Sequence, residues 1–281
     1  MRPARLFVFA LGLLMAVQPV WPAAPWMTLP PTPTLPAADV SGFAPVNGVR
    51  IWYAEFGHGE PVLLLHGGLG NSNYWGNLVR ALMPQYRVIV MDSRGHGRSS
   101  RDAQPFGYDL MANDTVGLLD YLKIKRVALV GWSDGAIIGL DIAMHHPDRL
   151  SKLFAFAANY DTVGVADIGH SSVFTAFEAR AGREYGMLSP TPRNYPQFLA
   201  AITTMWANQP DWHERDFQRI AVPTWIVDAD HDEAIMPDQP RAMAKWIPNA
   251  GLLIEPDVSH FAILQDPEQF ARDVEHFLER R

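Results

Sequence analysis

The pentapeptide Gly131-Trp132-Ser133-Asp134-Gly135 sets one serine between two glycines and beside an aspartate. Apolar residues 128–130 precede it, and a helix-prone apolar run begins at Ala136. A bare G-x-S-x-G pattern is common by chance. Placed between a predicted strand and a predicted helix, it describes a tight turn that leaves the serine hydroxyl exposed. Glycine on either side relieves the crowding of such a turn, and the helix that follows offers amide donors and a positive dipole end to an oxyanion. The chemistry this suggests is attack by the Ser133 hydroxyl on a carbonyl, which requires a base to take its proton.

The chain holds ten histidines. His260, in "EPDVSHFAIL", lies between the last predicted strand and the C-terminal helix, where a loop carries it over the carboxyl end of the sheet. The others read differently: His145 and His146 close a helix, His58 and His276 are surface residues, and His170 and His213 lie in or beside an inserted segment. The base needs a carboxylate to fix its tautomer and stabilise the imidazolium. "IVDADHDEAIMP" offers Asp228, Asp230, Asp232 and Glu233 after the penultimate strand. Asp232 is the expected acid, Asp230 shapes the turn, and Asp161, just beyond the fourth core strand, is a rival. "HGGLG", residues 66–70, follows the first buried strand, so the amides of Gly68 and Asp134 are the expected oxyanion donors, with His66 anchoring the loop. Each such donor is typically worth ~10²–10³ in rate. No metal is expected: adjacent side chains of the Asp-His-Asp-Glu run diverge, and no second ligand cluster accompanies it.

Positioning these residues falls to strands that alternate with helices. "VNGV" marks a hairpin turn, since Asn47 and Gly48 tolerate positive φ. "PVLLLHGG", "YRVIVMD", "RVALVG", "LSKLFAFAA", "PTWIVDA" and "GLLIEP" are continuous apolar runs suited to strands buried on both faces. Helical spacing recurs between them, which predicts an α/β fold with a mostly parallel central sheet and helices on both faces. Residues 159–218 break the alternation with aromatics, prolines and helical pieces, and read as a helical lid inserted between two strands. Its Phe174, Phe177 and Trp206, with Tyr185 and Trp212, are candidates to line an apolar substrate pocket.

Composition narrows the class. The 281 residues are 48% hydrophobic, enough for one sizeable core, and the formal net charge of −7 argues against a nucleic-acid partner. The absence of cysteine excludes disulfides, thiolate zinc sites and cysteine nucleophiles. "MRPAR" followed by "LFVFALGLLMAV" and the small-residue stretch to Ala24 reads as a signal peptide, residues 1–24. Its apolar run is shorter than the ~20 residues of a spanning helix. The expectation is export to the periplasm or exterior, with no stable membrane insertion after cleavage. Residues 25–40 are proline-rich and read as an extended linker, and 41–281 as one domain.

From about residue 45 onward the chain resembles the serine branch of the α/β-hydrolase superfamily. "HGG", "MDSRGHGRS", "GWSDG", "VDADHDE" and "VSHF" stand in that family's order, and "GWSDG" is similar to the elbow of valacyclovir-hydrolase-like esterases. The resemblance implies an α/β-hydrolase fold with a lid, Ser133 as nucleophile, Asp232 as acid, His260 as base, Gly68 and Asp134 as oxyanion donors, and no cofactor. Ala229 departs from the family, many of whose members carry glycine there. The implied activity is cleavage of a small carboxylic ester through an acyl-enzyme. An aminopeptidase or amidase, a lactonase, and a non-catalytic ligand-binding protein on the same scaffold are the alternatives.

Overall fold

The computed structural model describes residues 23–280. Asn47 and Gly48, with φ of 46° and 81°, close a hairpin between β1 (Val40–Val46) and β2 (Val49–Phe56). The buried apolar runs then form β3 (Glu60–Leu65), β4 (Tyr86–Met91), β5 (Val127–Trp132), β6 (Leu150–Phe156), β7 (Thr224–Ala229) and β8 (Ala250–Glu255). They assemble into an eight-stranded sheet ordered β1-β2-β4-β3-β5-β6-β7-β8. β2 is antiparallel to β1 and β4, and every later pairing is parallel. β5, near the middle, is buried along its whole length.

The crossovers are α1 (Gly76–Leu82), α2 (Tyr108–Tyr121) and α3 (Asp134–His145) on the N-terminal side. On the C-terminal side they are α7 (Asp238–Trp246), α8 (Ala262–Gln265) and α9 (Pro267–Glu279). Between β6 and β7 the chain leaves the sheet and forms α4 (Ser172–Leu188), α5 (Tyr195–Trp206) and the single turn α6 (Glu214–Phe217). Phe174 and Phe177 of α4 pack on Phe261, just past β8, with ring centroids 5.0 Å away in each case. This insertion therefore sits on the carboxyl edge of the sheet.

The proline-rich residues 25–40 are not a free linker. Arg180 of α4 donates to the carbonyls of Leu29 (2.9 Å) and Pro30 (2.6 Å), and Thr32 donates to Glu184 (2.6 Å), which also accepts from Asn71 (2.8 Å). Further along the same strap, Gln265 of α8 donates to the Thr28 carbonyl (2.9 Å), and the Trp26 ring stacks on His231 at 4.0 Å. Proline holds the chain extended and removes amide donors, so its carbonyls must find partners outside the segment. Residues 1–22 of the expected signal peptide lie outside the described residues. Among the described residues no helix is long and apolar enough to cross a membrane.

Candidate active site

The elbow is built by steric exclusion. β5 ends at Trp132, and Ser133 takes φ 54° and ψ −120° before α3 begins at Asp134. A non-glycine residue at positive φ costs roughly 1–3 kcal/mol and persists only where the surroundings enforce it. Here the Ser133 amide is tied to the Phe156 carbonyl of β6 (2.8 Å). A side chain at Gly131 would put its Cβ 2.4 Å from the Gly135 carbonyl, and one at Gly135 would lie 2.1 Å from the Leu65 carbonyl at the end of β3. The turn closes only because both are glycine.

His260, buried on the loop before α8, turns its Nδ1 to Asp232, at 2.8 Å from Oδ2 and 3.2 Å from Oδ1. Asp232 is itself fixed, since its Oδ1 accepts from the amides of Ala234 (2.7 Å) and Ile235 (2.9 Å). Burial disfavours the charged imidazolium, but the carboxylate of Asp232, with Glu233 and Asp134 further out, outweighs it and raises the His260 pKa above its ordinary value. The same ion pair outweighs burial at Asp232 and holds that carboxyl below its usual range. Asp161, the rival acid, is engaged elsewhere: its Oδ1 accepts from the Gly164 amide (2.8 Å) and Gln239 Nε2 (3.3 Å). Ser133 and His260 line one cavity of about 500 Å³, together with Gly68 and Asp134.

Several positioning contacts were invisible in the sequence. Trp132 Nε1 donates to the His260 carbonyl (2.9 Å), joining the residue before Ser133 to the base loop. Glu233 accepts from the His260 amide and from Ser171, the N-cap of α4, both at 3.3 Å. Burial, followed by the charge of Asp232, drives the Asp228 carboxyl well above the usual carboxylate range. Glu233 and Asp228 belong to a run already noted.

The Asp134 side chain points away from the helix into a cluster of donors. Its Oδ1 accepts from the Tyr108 hydroxyl (2.9 Å) and from Trp206 Nε1 (3.0 Å), which lies equally close to Oδ2. Burial nevertheless pushes its pKa up to about 6. Gly68 is pressed against this pair: a Cβ there would meet the Trp206 ring at 2.3 Å and Asp134 Oδ2 at 2.6 Å. The Gly68 amide has no hydrogen-bond partner among the described residues. Asp134 opens the first turn of α3, where amides lack intrahelical acceptors.

His66 anchors its loop as expected. Its Nε2 accepts from the Ser93 amide (3.0 Å), which leaves Nδ1 to donate to the Gly67 carbonyl (2.8 Å). Burial lowers its pKa, and burial followed by His66 lowers that of His96 to about 3, so both are neutral. Of the aromatics proposed for the pocket, Phe174, Phe177 and Trp206 line it. Tyr185 instead stacks on Phe198, and Trp212 packs on Phe217. Contrary to the expected divergence of side chains in the Asp-His-Asp-Glu run, Asp230 and His231 converge with Asp257, their ligand atoms all within 4.8 Å on the exposed surface. That group lies outside the residues lining the Ser133 cavity.

Comparison with known proteins agrees with this fold. The model of the alpha/beta hydrolase fold family matches residues 60–180. The chain is 30% identical over 251 residues to a putative carbamate hydrolase, RutD, of Caulobacter sp. strain K31, covering 79% of this chain and 93% of that one. It is 29% identical over 252 residues to the human serine hydrolase BPHL, covering 83% of this chain and 84% of that one. Among solved structures, a meta-cleavage product hydrolase from Pseudomonas fluorescens superposes with a TM-score of 0.73 at 20% identity, over 84% of this chain and 97% of that one. With the eight-stranded sheet, the glycine-bounded elbow and a relative matched over nearly its full length, the chain belongs to the α/β-hydrolase family and is a hydrolase.

Proposed function

We propose that the protein is a serine hydrolase that cleaves small carboxylic esters through an acyl-enzyme. The observation that carries this reading is the pairing of His260 Nδ1 with Asp232, which leaves Nε2 for the Ser133 hydroxyl in the cavity both residues line. His260 takes the Ser133 proton as Oγ attacks the carbonyl, and the amides of Gly68 and Asp134 hold the oxyanion. His260 then returns the proton to the departing alkoxide. A water molecule, deprotonated in turn by His260, attacks the acyl-enzyme, and His260 gives that proton to the departing Ser133 Oγ as the acid is released. Phe174 and Phe177 supply an apolar wall for the acyl or alcohol group, and the insertion carrying them acts as the lid.

A second reading, cleavage of aminoacyl amides or esters, draws support from the Asp134 carboxylate and Glu178, both in the cavity wall and both suited to a substrate ammonium. A panel of p-nitrophenyl acyl esters, lactones and aminoacyl-p-nitroanilides, run on wild type and Ser133→Ala, separates these readings. The ester reading expects ester turnover that falls by at least ~10⁴ in the variant. Turnover unchanged in Ser133→Ala overturns the mechanism, and exclusive cleavage of the anilides overturns the ester assignment.

A further inference from the structure

A second cavity, of about 390 Å³, lies beyond the end of β8, away from Ser133. Its wall carries Glu255, Asp257, Asp266 and Asp273, with Gln265 and Gln269, and no lysine, arginine or histidine. At its floor Glu255 is 1% exposed, and neither carboxyl oxygen has a hydrogen-bond partner among the described residues. A buried carboxyl without partners is costly in either protonation state, and a cluster of acids around it adds to the cost of ionising it.

We propose that this cavity binds an aliphatic polyammonium ion, with one ammonium on Glu255 and another at the Asp257–Asp266 rim. This inference is independent of the reaction at Ser133. The shape of the site favours an extended cation over a single metal ion. Among the described residues, the one group that converges three ligand atoms within 4.8 Å is Asp230, His231 and Asp257, which shares only Asp257 with the cavity. Between the carboxylates, Leu253, Val258, Pro25 and Pro256 offer apolar contact to a methylene chain. The acidic partners are not wholly spent internally: Asp266 uses Oδ1 on the Gln269 amide and Asp273 uses Oδ2 on Gln269 Nε2, leaving one oxygen each.

Protonation gives the site a signature. Burial first, then Asp273 of α9 and Asp266 at its N-cap, push Glu255 up to about 8, while Asp257 stands at the rim. An ammonium on Glu255 favours its ionised form, so binding at neutral pH releases a proton and affinity rises with pH.

The test is calorimetric titration of the full chain with spermidine in 150 mM KCl, in buffers of differing ionisation enthalpy, at pH 6.5 and 8.5. Butylamine and calcium chloride serve as comparison titrants. The expected result is spermidine binding that tightens about tenfold across that range with proton release. Glu255→Gln is expected to bind about tenfold more weakly at pH 8.5 with no proton release, while ester turnover stays at the wild-type level. Asp273→Asn, at a half-buried position of α9 on the cavity wall, is a second variant and is expected to weaken binding several-fold. Absence of spermidine binding, equal affinity in Glu255→Gln and Asp273→Asn, or tighter binding of calcium than of spermidine overturns the proposal.

Discussion

At the scale of single residues, Asp134 links the parts of the site. Its amide is the oxyanion donor in the proposed mechanism, while its carboxylate holds Tyr108 and Trp206 and lends negative charge to His260. The proposed mechanism needs neutral His260, so the raised pKa places the acid limb of kcat/KM above the ordinary histidine value of ~6.5. Asp134→Asn keeps the backbone amide and removes one of the charges that favour the imidazolium. The acid limb is therefore expected to move to lower pH, read from the pH profile of ester hydrolysis. A limb that stays in place or moves up contradicts the coupling. Ser133 and its glycines were legible in the sequence because the elbow pattern spans five residues, although the Leu65 carbonyl that demands glycine at 135 comes from β3. Asp232 was legible only as one of several acids, since what excludes Asp161 is its engagement with Gly164 and Gln239, the latter 78 positions away in the chain.

At the scale of elements, the ties of the insertion include one to the elbow and one to the proline-rich strap. Trp206, the last residue of α5, reaches the elbow through Asp134. α4 is tied to residues 25–35 through Arg180 and Glu184. Composition hides the second tie, because proline-rich sequence reads as linker and its acceptors are backbone carbonyls that no residue letter records. Arg180→Ala removes two charge-assisted hydrogen bonds to that strap. It is expected to lower stability by roughly 1–3 kcal/mol in denaturant unfolding, and to raise KM for esters more than it lowers kcat. A variant as stable as wild type, with unchanged KM, shows that the strap does not brace α4. The core strands, by contrast, were readable from continuous apolar runs, since burial on both faces leaves no alternation to confuse them.

At the scale of the whole molecule, Gln265 joins the Glu255 cavity to the loop that carries His260. Gln265 lines the Glu255 cavity and also bonds both Ser259, the neighbour of His260, and Thr28 of the strap. Glu255 also sets a global pH dependence. The folded chain keeps its proton up to about pH 8, whereas the unfolded chain releases it near 4.5. The folded state binds more protons across that window, so Glu255 makes stability fall as pH rises from 4.5 to 8. In thermal melts, Glu255→Gln is expected to gain on wild type between pH 5 and pH 8. A difference in Tm that is constant with pH rules out a neutral Glu255.

Trp206 also makes the cavity optically addressable. It is one of nine tryptophans, and its indole N–H is shared between the two oxygens of a carboxylate that titrates near pH 6. A ligand entering beside it, or a proton added to Asp134, changes the polarity felt by that one ring. The difference in intrinsic emission between wild type and Trp206→Phe then reads out cavity occupancy directly, with no chromogenic leaving group and no turnover.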